Sequence, residues 1–282
     1  MSHTENSNDY PVLAFIGAGN MAQAIIGGLL AKGYPAERIW GTGRDQLKLD
    51  ALHQRLGIRV STDNLEVARN AQVLVLAVKP QMMQAVARCL VEVVQRSQPL
   101  VISVAAGIPV ASLDQWLGGG VSLVRCMPNT PSLVQCGASG LFANASVTAI
   151  QRTQTEQILS AVGIALWVES EDLIDAVIAV SGSGPAYYFM MMESMIAAGE
   201  AQGLSRQVST QLTLQTALGA AKMALASDVD PAELRRRVTS PNGTTEQAVL
   251  RFQQGGLPEL VADAMTACAD RGRAMAEELG NN

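Results

Sequence analysis

Histidine is nearly absent from this chain. Only two of its 282 residues are His, His3 and His53. His3 lies in a polar N-terminal stretch and His53 within the helical DALHQRLG, so an imidazole general base is close to excluded by supply alone. Cysteine is also scarce: Cys89, Cys126, Cys136 and Cys268 form no C-x-x-C pair. They read as reduced, buried thiols, and without a Cys/His cluster no zinc site or other metal is expected. Lysine is limited to Lys32, Lys48, Lys79 and Lys222. Charged residues make up 16% of the chain, its net charge is −5, and its one basic cluster is Arg235-Arg236-Arg237. That argues against a phosphate-tracking surface for nucleic acid. No apolar run reaches the ~20 residues of a membrane span. The first nine residues, MSHTENSND, are polar and lack the apolar core of a signal peptide. The expectation is a cytoplasmic protein with a frayed N-terminus and no membrane partner.

What the chain does have is apolar bulk. Hydrophobic residues reach 48% and the mean hydropathy is +0.18, enough for two domains with separate cores. VLAFI at 12–16 is a short, wholly apolar run, as a parallel strand buried on both faces should be. It leads into Gly17-Ala18-Gly19-Asn20-Met21-Ala22 and then an apolar helical pattern to Ala31, stopped by Gly33. Strand, G-x-G-x-x-A, helix is the dinucleotide fingerprint in the context it requires. Gly17 makes the turn, Gly19 admits a pyrophosphate, and the small Ala22 keeps helix and strand close.

A second strand is expected at 38–41. At its end, where an NAD site wants Asp or Glu for the ribose 2′-hydroxyl, stand Thr42, Gly43 and Arg44. A hydroxyl and a guanidinium suit a 2′-phosphate and point to NADP; Asp45, next along, pulls the other way. Apolar strand runs then alternate with helical patterns: helix 46–56, strand from Val60, helix 63–70, strand 73–78, helix 81–95, strands 100–105 and 122–126, and strands 139–142 and 165–168 around a helix at 148–162. This alternation predicts a Rossmann-like, doubly wound, mostly parallel α/β sheet. Ligands of such sheets bind beyond the strand C-termini, so Lys79, Ala105-Ala106 and Met127–Asn129 are expected along the cofactor groove.

The texture changes after Val168. From Ile174 onward Ala, Met, Leu, Gln and Glu recur at helical spacing without a strand run. The domains are therefore expected at 10–168, binding NAD(P), and 169–282, all-helical. Asp230-Pro231-Ala232-Glu233 is a helix start, and so apolar a helical half suggests self-association. Ser181-Gly182-Ser183-Gly184-Pro185 interrupts the pattern. It is either a helix break before a Pro-started helix or a place where backbone approaches a nicotinamide or substrate. In RVTSPNGTTEQAVL at 237–250, Pro241-Asn242-Gly243 is turn chemistry. Thr244 is expected as the next helix's N-cap, with Gln247 completing a capping box. A helix start carries unpaired N–H groups and partial positive charge, which suits a carboxylate.

A dinucleotide domain followed by a helical one fits β-hydroxyacid dehydrogenases, imine or pyrroline reductases, or a non-catalytic NADP sensor. Alcohol oxidation needs a positioned base, and no lysine lies in SGSGPAYYFMMMES. Imine reduction needs little acid–base help, because the C=N can arrive protonated. The chain resembles the pyrroline-5-carboxylate reductases through FIGAGNMA at 15–22, AVKP at 77–80, VRCMPNTP at 124–131, EDLIDAV at 171–177, SGSGPAY at 181–187 and VTSPNGTTEQAV at 238–249.

The resemblance implies hydride transfer from NADPH or NADH to 1-pyrroline-5-carboxylate, giving L-proline in the last step of proline biosynthesis. It puts Ala18, Asn20 and Met21 on the pyrophosphate and Thr42, Gly43 and Arg44 at the adenine ribose. Asn64, Val78, Lys79 and Ala106 fall along the rest of the cofactor. It has the Ser240–Thr245 loop, with Gly243 and Thr244, hold the substrate carboxylate through backbone N–H groups. The Thr245 hydroxyl then faces the ring nitrogen, and Glu171 touches substrate. It further implies a dimer through interlocked helical domains, which some members assemble fivefold into a decamer.

Overall fold

The computed structural model of the chain describes residues 10–280; the N-terminal residues expected to be frayed lie outside the described residues. Eight strands form one sheet: β1 (Leu13–Ile16), β2 (Ile39–Thr42), β3 (Arg59–Ser61), β4 (Val73–Leu76), β5 (Leu100–Ser103), β6 (Leu123–Met127), β7 (Gly137–Ala143) and β8 (Gly163–Trp167). Their order is β3-β2-β1-β4-β5-β6-β7-β8. The first six pair in parallel, β7 turns antiparallel to β6, and β8 runs parallel to β7. The helices between them are α1 (Asn20–Ala31), α2 (Gln46–Leu56), α3 (Asn64–Ala68), α4 (Pro80–Ser97), α5 (Val110–Trp116) and α6 (Ala149–Leu159).

The apolar strand runs are explained by burial on both faces. On β1, Leu13 and Phe15 point into a core shared with Ala22, Ile25 and Ile26 of α1, and with Ile158 and Leu159 of α6. Ala14 and Ile16 point the other way, into a core with Val67 of α3, Met83, Ala87 and Leu90 of α4, and Leu113 of α5. All four β1 residues are fully buried. At roughly 1.5–3 kcal/mol per buried large side chain, these two layers dominate the stability of the sheet. Side-chain caps set the helix starts: Asp45 accepts from the Lys48 N–H, Asp63 from Leu65, and Thr148 forms a full capping box with Gln151.

The last strand ends at Trp167, after which the chain is helical. These helices are α7 (Leu173–Val177), α8 (Gly184–Ala201), α9 (Arg206–Leu225), α10 (Pro231–Arg237), α11 (Thr244–Gln254) and α12 (Leu257–Gly280). By compactness the chain divides at Ser183/Gly184. The sheet unit runs to Ser183 and regains the chain from Cys268 onward, and the second unit is Gly184–Ala267. Within the sheet unit the end of α12 packs on the loop after β5: a Cβ on Gly107 would stand 3.2 Å from Leu279, and the Ser112 hydroxyl donates to the Gly280 carbonyl at 3.1 Å.

The SGSGP interruption is a π-turn at Ile178–Gly182, followed by α8 from Gly184. Asn129, 8% exposed, holds it: its amide donates to the Ser181 carbonyl at 3.0 Å while its oxygen accepts the Ala138 N–H at 2.9 Å. One side chain thus ties the loop after β6 both to β7 and to the turn.

All four cysteines are free thiols, but they are not all buried as expected. Cys89 and Cys136 are exposed, one on the solvent side of α4 and one in the loop before β7. Cys126 is buried on β6, where desolvation pushes its thiol up to about 12, leaving it protonated and unreactive.

Candidate active site

A concavity opens at the C-terminal ends of β1, β2 and β4, where the fingerprint turn meets the sheet. It is a cleft of about 390 Å³ lined by Gly17, Ala18, Gly19, Thr42, Gly43, Arg44, Asn64, Val78 and Lys79 among others. Nine of the twelve residues expected at a cofactor converge there. The other three, Asn20, Met21 and Ala106, do not line it. Asn20 and Met21 are the first two residues of α1, whose N-cap Gly19 is extended and has no side-chain cap. Their N–H groups are therefore the open donors of a helix start.

The glycines fit this use. Gly17 has φ +97°, and a Cβ there would press on the Ala77 carbonyl at 2.9 Å. A Cβ on Gly19 would meet nothing within 4 Å, so the space in front of α1 is open to a ligand. The donor set and the free approach fit a pyrophosphate, with Asn64, the first residue of α3, across the cleft. Sequence reasoning missed Gln23, Thr62 and Met82, which also line it, and Lys48, whose charge shares the cleft rim with Arg44. Lys48 lies on a helix face whose orientation only the fold reveals. It also stands 3.7 Å from Asp45, which caps α2, so Asp45 has an internal task.

Thr42 departs from expectation. Its side chain is 1% exposed, and its hydroxyl accepts the Gly17 N–H at 3.0 Å and reaches the Phe15 carbonyl at 3.4 Å. Its own carbonyl accepts the Ala18 N–H at 2.6 Å. The hydroxyl faces into the sheet, not toward a 2′-phosphate. The Ala18 N–H is likewise taken up, so Ala18 contributes only its place in the wall. Arg44 is exposed at the rim. Of the groove expected after β5 and β6, Ala105 is buried and Asn129 is engaged internally, and neither lines this cleft.

Glu171 sits in the sheet unit, within a buried charged cluster. Its Oε1 accepts from Arg125 Nη1 and from the Val110 N–H, both at 2.8 Å. Arg125 is 5% exposed, and its Nη2 and the Oδ1 of neighbouring Asp175 have no partner. Glu171 thus closes the N-terminus of α5 and neutralises a buried guanidinium, a tertiary role with no local sequence signal.

The Ser240–Thr245 loop lies in the second unit and is a β-turn. Gly243 N–H donates to the Ser240 carbonyl at 3.0 Å, with Pro241 at the second position and Asn242 at φ +58° in the third, the pattern of a type II turn. A Cβ on Gly243 would lie 3.0 Å from the Ser240 oxygen, so a side chain there would fit only if the turn gave way by a few tenths of an ångström. The N-cap of α11 is this Gly243, not Thr244, and no side chain caps the helix. Thr244 is its first residue, so the expected Thr244/Gln247 capping box does not form. Instead Glu246 reaches back to the Asn242 N–H at 2.8 Å. With Asn242 and Gly243 N–H groups engaged, the donors left at this helix start are those of Thr244, Thr245 and Glu246, beside an exposed Thr245 side chain.

Among the described residues no group of three or more His, Cys, Asp or Glu could hold a metal ion, and no helix is long and apolar enough to cross a membrane. A doubly wound sheet whose fingerprint turn opens onto an uncapped helix and a cationic rim defines a dinucleotide-binding oxidoreductase. Comparison with known proteins narrows the class. Residues 12–107 match the family model described as NADP oxidoreductase, coenzyme F420-dependent, and residues 171–275 that of pyrroline-5-carboxylate reductase dimerisation. The chain is 55% identical over 270 residues to a pyrroline-5-carboxylate reductase of Pseudomonas aeruginosa, covering 96% of this chain and 98% of that one. Its fold superposes on a solved pyrroline-5-carboxylate reductase from Coxiella burnetii with TM-score 0.92 at 45% identity, over 94% and 98% of the two chains. With a Plasmodium falciparum pyrroline carboxylate reductase solved with NADP bound, the TM-score is 0.83 at 29% identity, over 94% and 98%. The chain belongs to the pyrroline-5-carboxylate reductase family.

Proposed function

We propose that this chain reduces the C=N bond of 1-pyrroline-5-carboxylate to L-proline, as a cytoplasmic homodimer that uses NADPH in preference to NADH. The observation that carries the reading is the start of α11: free N–H groups on Thr244, Thr245 and Glu246 and an adjacent threonine hydroxyl, with the one carboxylate there, Glu246, turned back onto the Asn242 N–H. Those N–H groups hold the substrate carboxylate, helped by the positive end of the helix. The Thr245 hydroxyl hydrogen-bonds the ring nitrogen and fixes the face the imine carbon presents. A threonine hydroxyl is a poor acid, so it acts by orientation and charge stabilisation, and the imine enters protonated.

A reduced nicotinamide, when bound, supplies the hydride. The N–H groups of Asn20 and Met21 hold its pyrophosphate, Arg44 and Lys48 offer charge to a 2′-phosphate, and Val78 and Lys79 line its further course. Glu171 has Oε1 engaged, which leaves Oε2 for any substrate contact. The test is NADPH consumption at 340 nm with 1-pyrroline-5-carboxylate, with L-proline measured as product. Turnover of a 3-hydroxy acid instead would indicate a hydroxyacid dehydrogenase, and NADPH binding without turnover a sensor.

A further inference from the structure

The dinucleotide fingerprint has six residues but only one end of it is open, and the reason is a residue outside it. Gly17 and Ala18 both have N–H groups at the turn, where a pyrophosphate could compete for them. Thr42, the last residue of β2, takes both: Gly17 N–H at 3.0 Å with its hydroxyl and Ala18 N–H at 2.6 Å with its carbonyl. The hydroxyl oxygen stands 3.4 Å from the Phe15 carbonyl oxygen, and the side chain is 1% exposed. A threonine hydroxyl has one proton to donate, and this one is buried against the Gly17 N–H with the Phe15 carbonyl as the acceptor in its reach, so it is not presented to a ligand in the cleft.

We infer that Thr42 is a positioning residue that braces the phosphate-binding turn, so that the anion is received only at Gly19 and the start of α1, and that it does not read the ribose phosphate. This deepens the dinucleotide-binding part of the function proposed above and rests on it. A turn held from beneath does not have to be ordered when the nucleotide arrives, and that preorganisation favours binding of every dinucleotide alike. Selectivity between NADPH and NADH belongs to Arg44 and Lys48 at the rim.

The test compares Thr42→Val, which keeps the shape and removes the hydroxyl, with Thr42→Ser, which keeps the hydroxyl. Dissociation constants of NADPH and NADH are measured by fluorescence or calorimetry without substrate, and kcat and KM are measured with it. The Val variant should bind both nucleotides about tenfold or more weakly, with the NADPH/NADH ratio unchanged and kcat at saturation near wild type. Ser should restore both affinities. A loss confined to NADPH, or no loss at all, overturns the inference. A second measurement does not depend on the variant folding. In the ligand-free wild-type chain, hydrogen exchange of the Gly17 amide should be slow and that of Asn20 and Met21 fast, and NADP⁺ should slow only the latter pair. A fast Gly17 amide overturns the brace. If neither nucleotide binds the wild-type chain, the dinucleotide reading itself fails, while the exchange measurement still judges the brace.

Discussion

In the proposed reaction two residues carry the specific chemistry. Thr245 faces the ring nitrogen in the proposed complex, and a single hydrogen bond of this kind contributes about 1–3 kcal/mol to the transition state. Thr245→Ala should therefore lower kcat/KM roughly ten- to a hundredfold and leave NADPH affinity unchanged. Steady-state kinetics with 1-pyrroline-5-carboxylate checks this, and wild-type rate and affinity in the variant would refute the assigned role. Thr244, by contrast, caps nothing, so Thr244→Ala should leave the melting temperature close to wild type. Arg44 is the second specific residue. If its guanidinium bonds the 2′-phosphate, Arg44→Ala should weaken NADPH by about 1.5–3 kcal/mol and hardly affect NADH; equal losses for both would remove it from the phosphate site. Thr245, Gly17 and Arg44 were legible as candidates because turn and anion chemistry are local. The direction in which a hydroxyl points is not local, and Thr42 shows it: the last residue of β2, it turns inward because Phe15 of β1 and Gly17 just after β1 offer a carbonyl and an amide there.

At the scale of elements, buried polar ties hold the site's surroundings. Asn129→Ala would leave the Ala138 N–H and the Ser181 carbonyl without their partner. At about 1–3 kcal/mol for each buried group left unmade, the variant should melt well below wild type, and a melting temperature equal to wild type would contradict the tie. Asp175 gives a pH signature. Burial holds its carboxyl above the usual range, against the opposing pull of Arg125 and Arg273 and with Asp172 and Glu171 adding to the rise. With the folded value above the unfolded one, the folded chain binds the extra proton. Stability from this group is thus full below the unfolded value of about 4 and is lost as pH rises through the folded value. Asp175→Asn should flatten that fall in a series of melts from about pH 4 upward, and an unchanged slope would show that another group causes it.

At the scale of the whole molecule, the second unit leaves large apolar side chains in solvent: Tyr188 at 69%, Phe189 at 63% and Met190 at 71% exposed on α8, with Leu212 and Leu218 on α9. A monomer seldom displays so much. We expect a homodimer as the smallest active species, so sedimentation at micromolar concentration should show no folded monomer. A single charge, Met190→Glu, should weaken the association. A decamer of five dimers would appear in the same experiment at ten times the mass of one chain.

The amino-acid sequence by itself determined the sheet and its fingerprint. A parallel strand is buried on both faces, so runs such as VLVL at 73–76 admit nothing polar, and a turn under a helix start admits nothing but glycine at Gly17. These constraints act within a few residues, and the chain spells them out. Tertiary structure alone decided what depends on distant partners. It reversed β7 against β6, and it returned residues 268–280 to the sheet unit. It turned the Thr42 hydroxyl toward Gly17 and set Glu171 against Arg125, 46 positions away. A buried charge or hydroxyl must find its partner wherever the fold brings one, and that choice is made across the sheet, not along the chain.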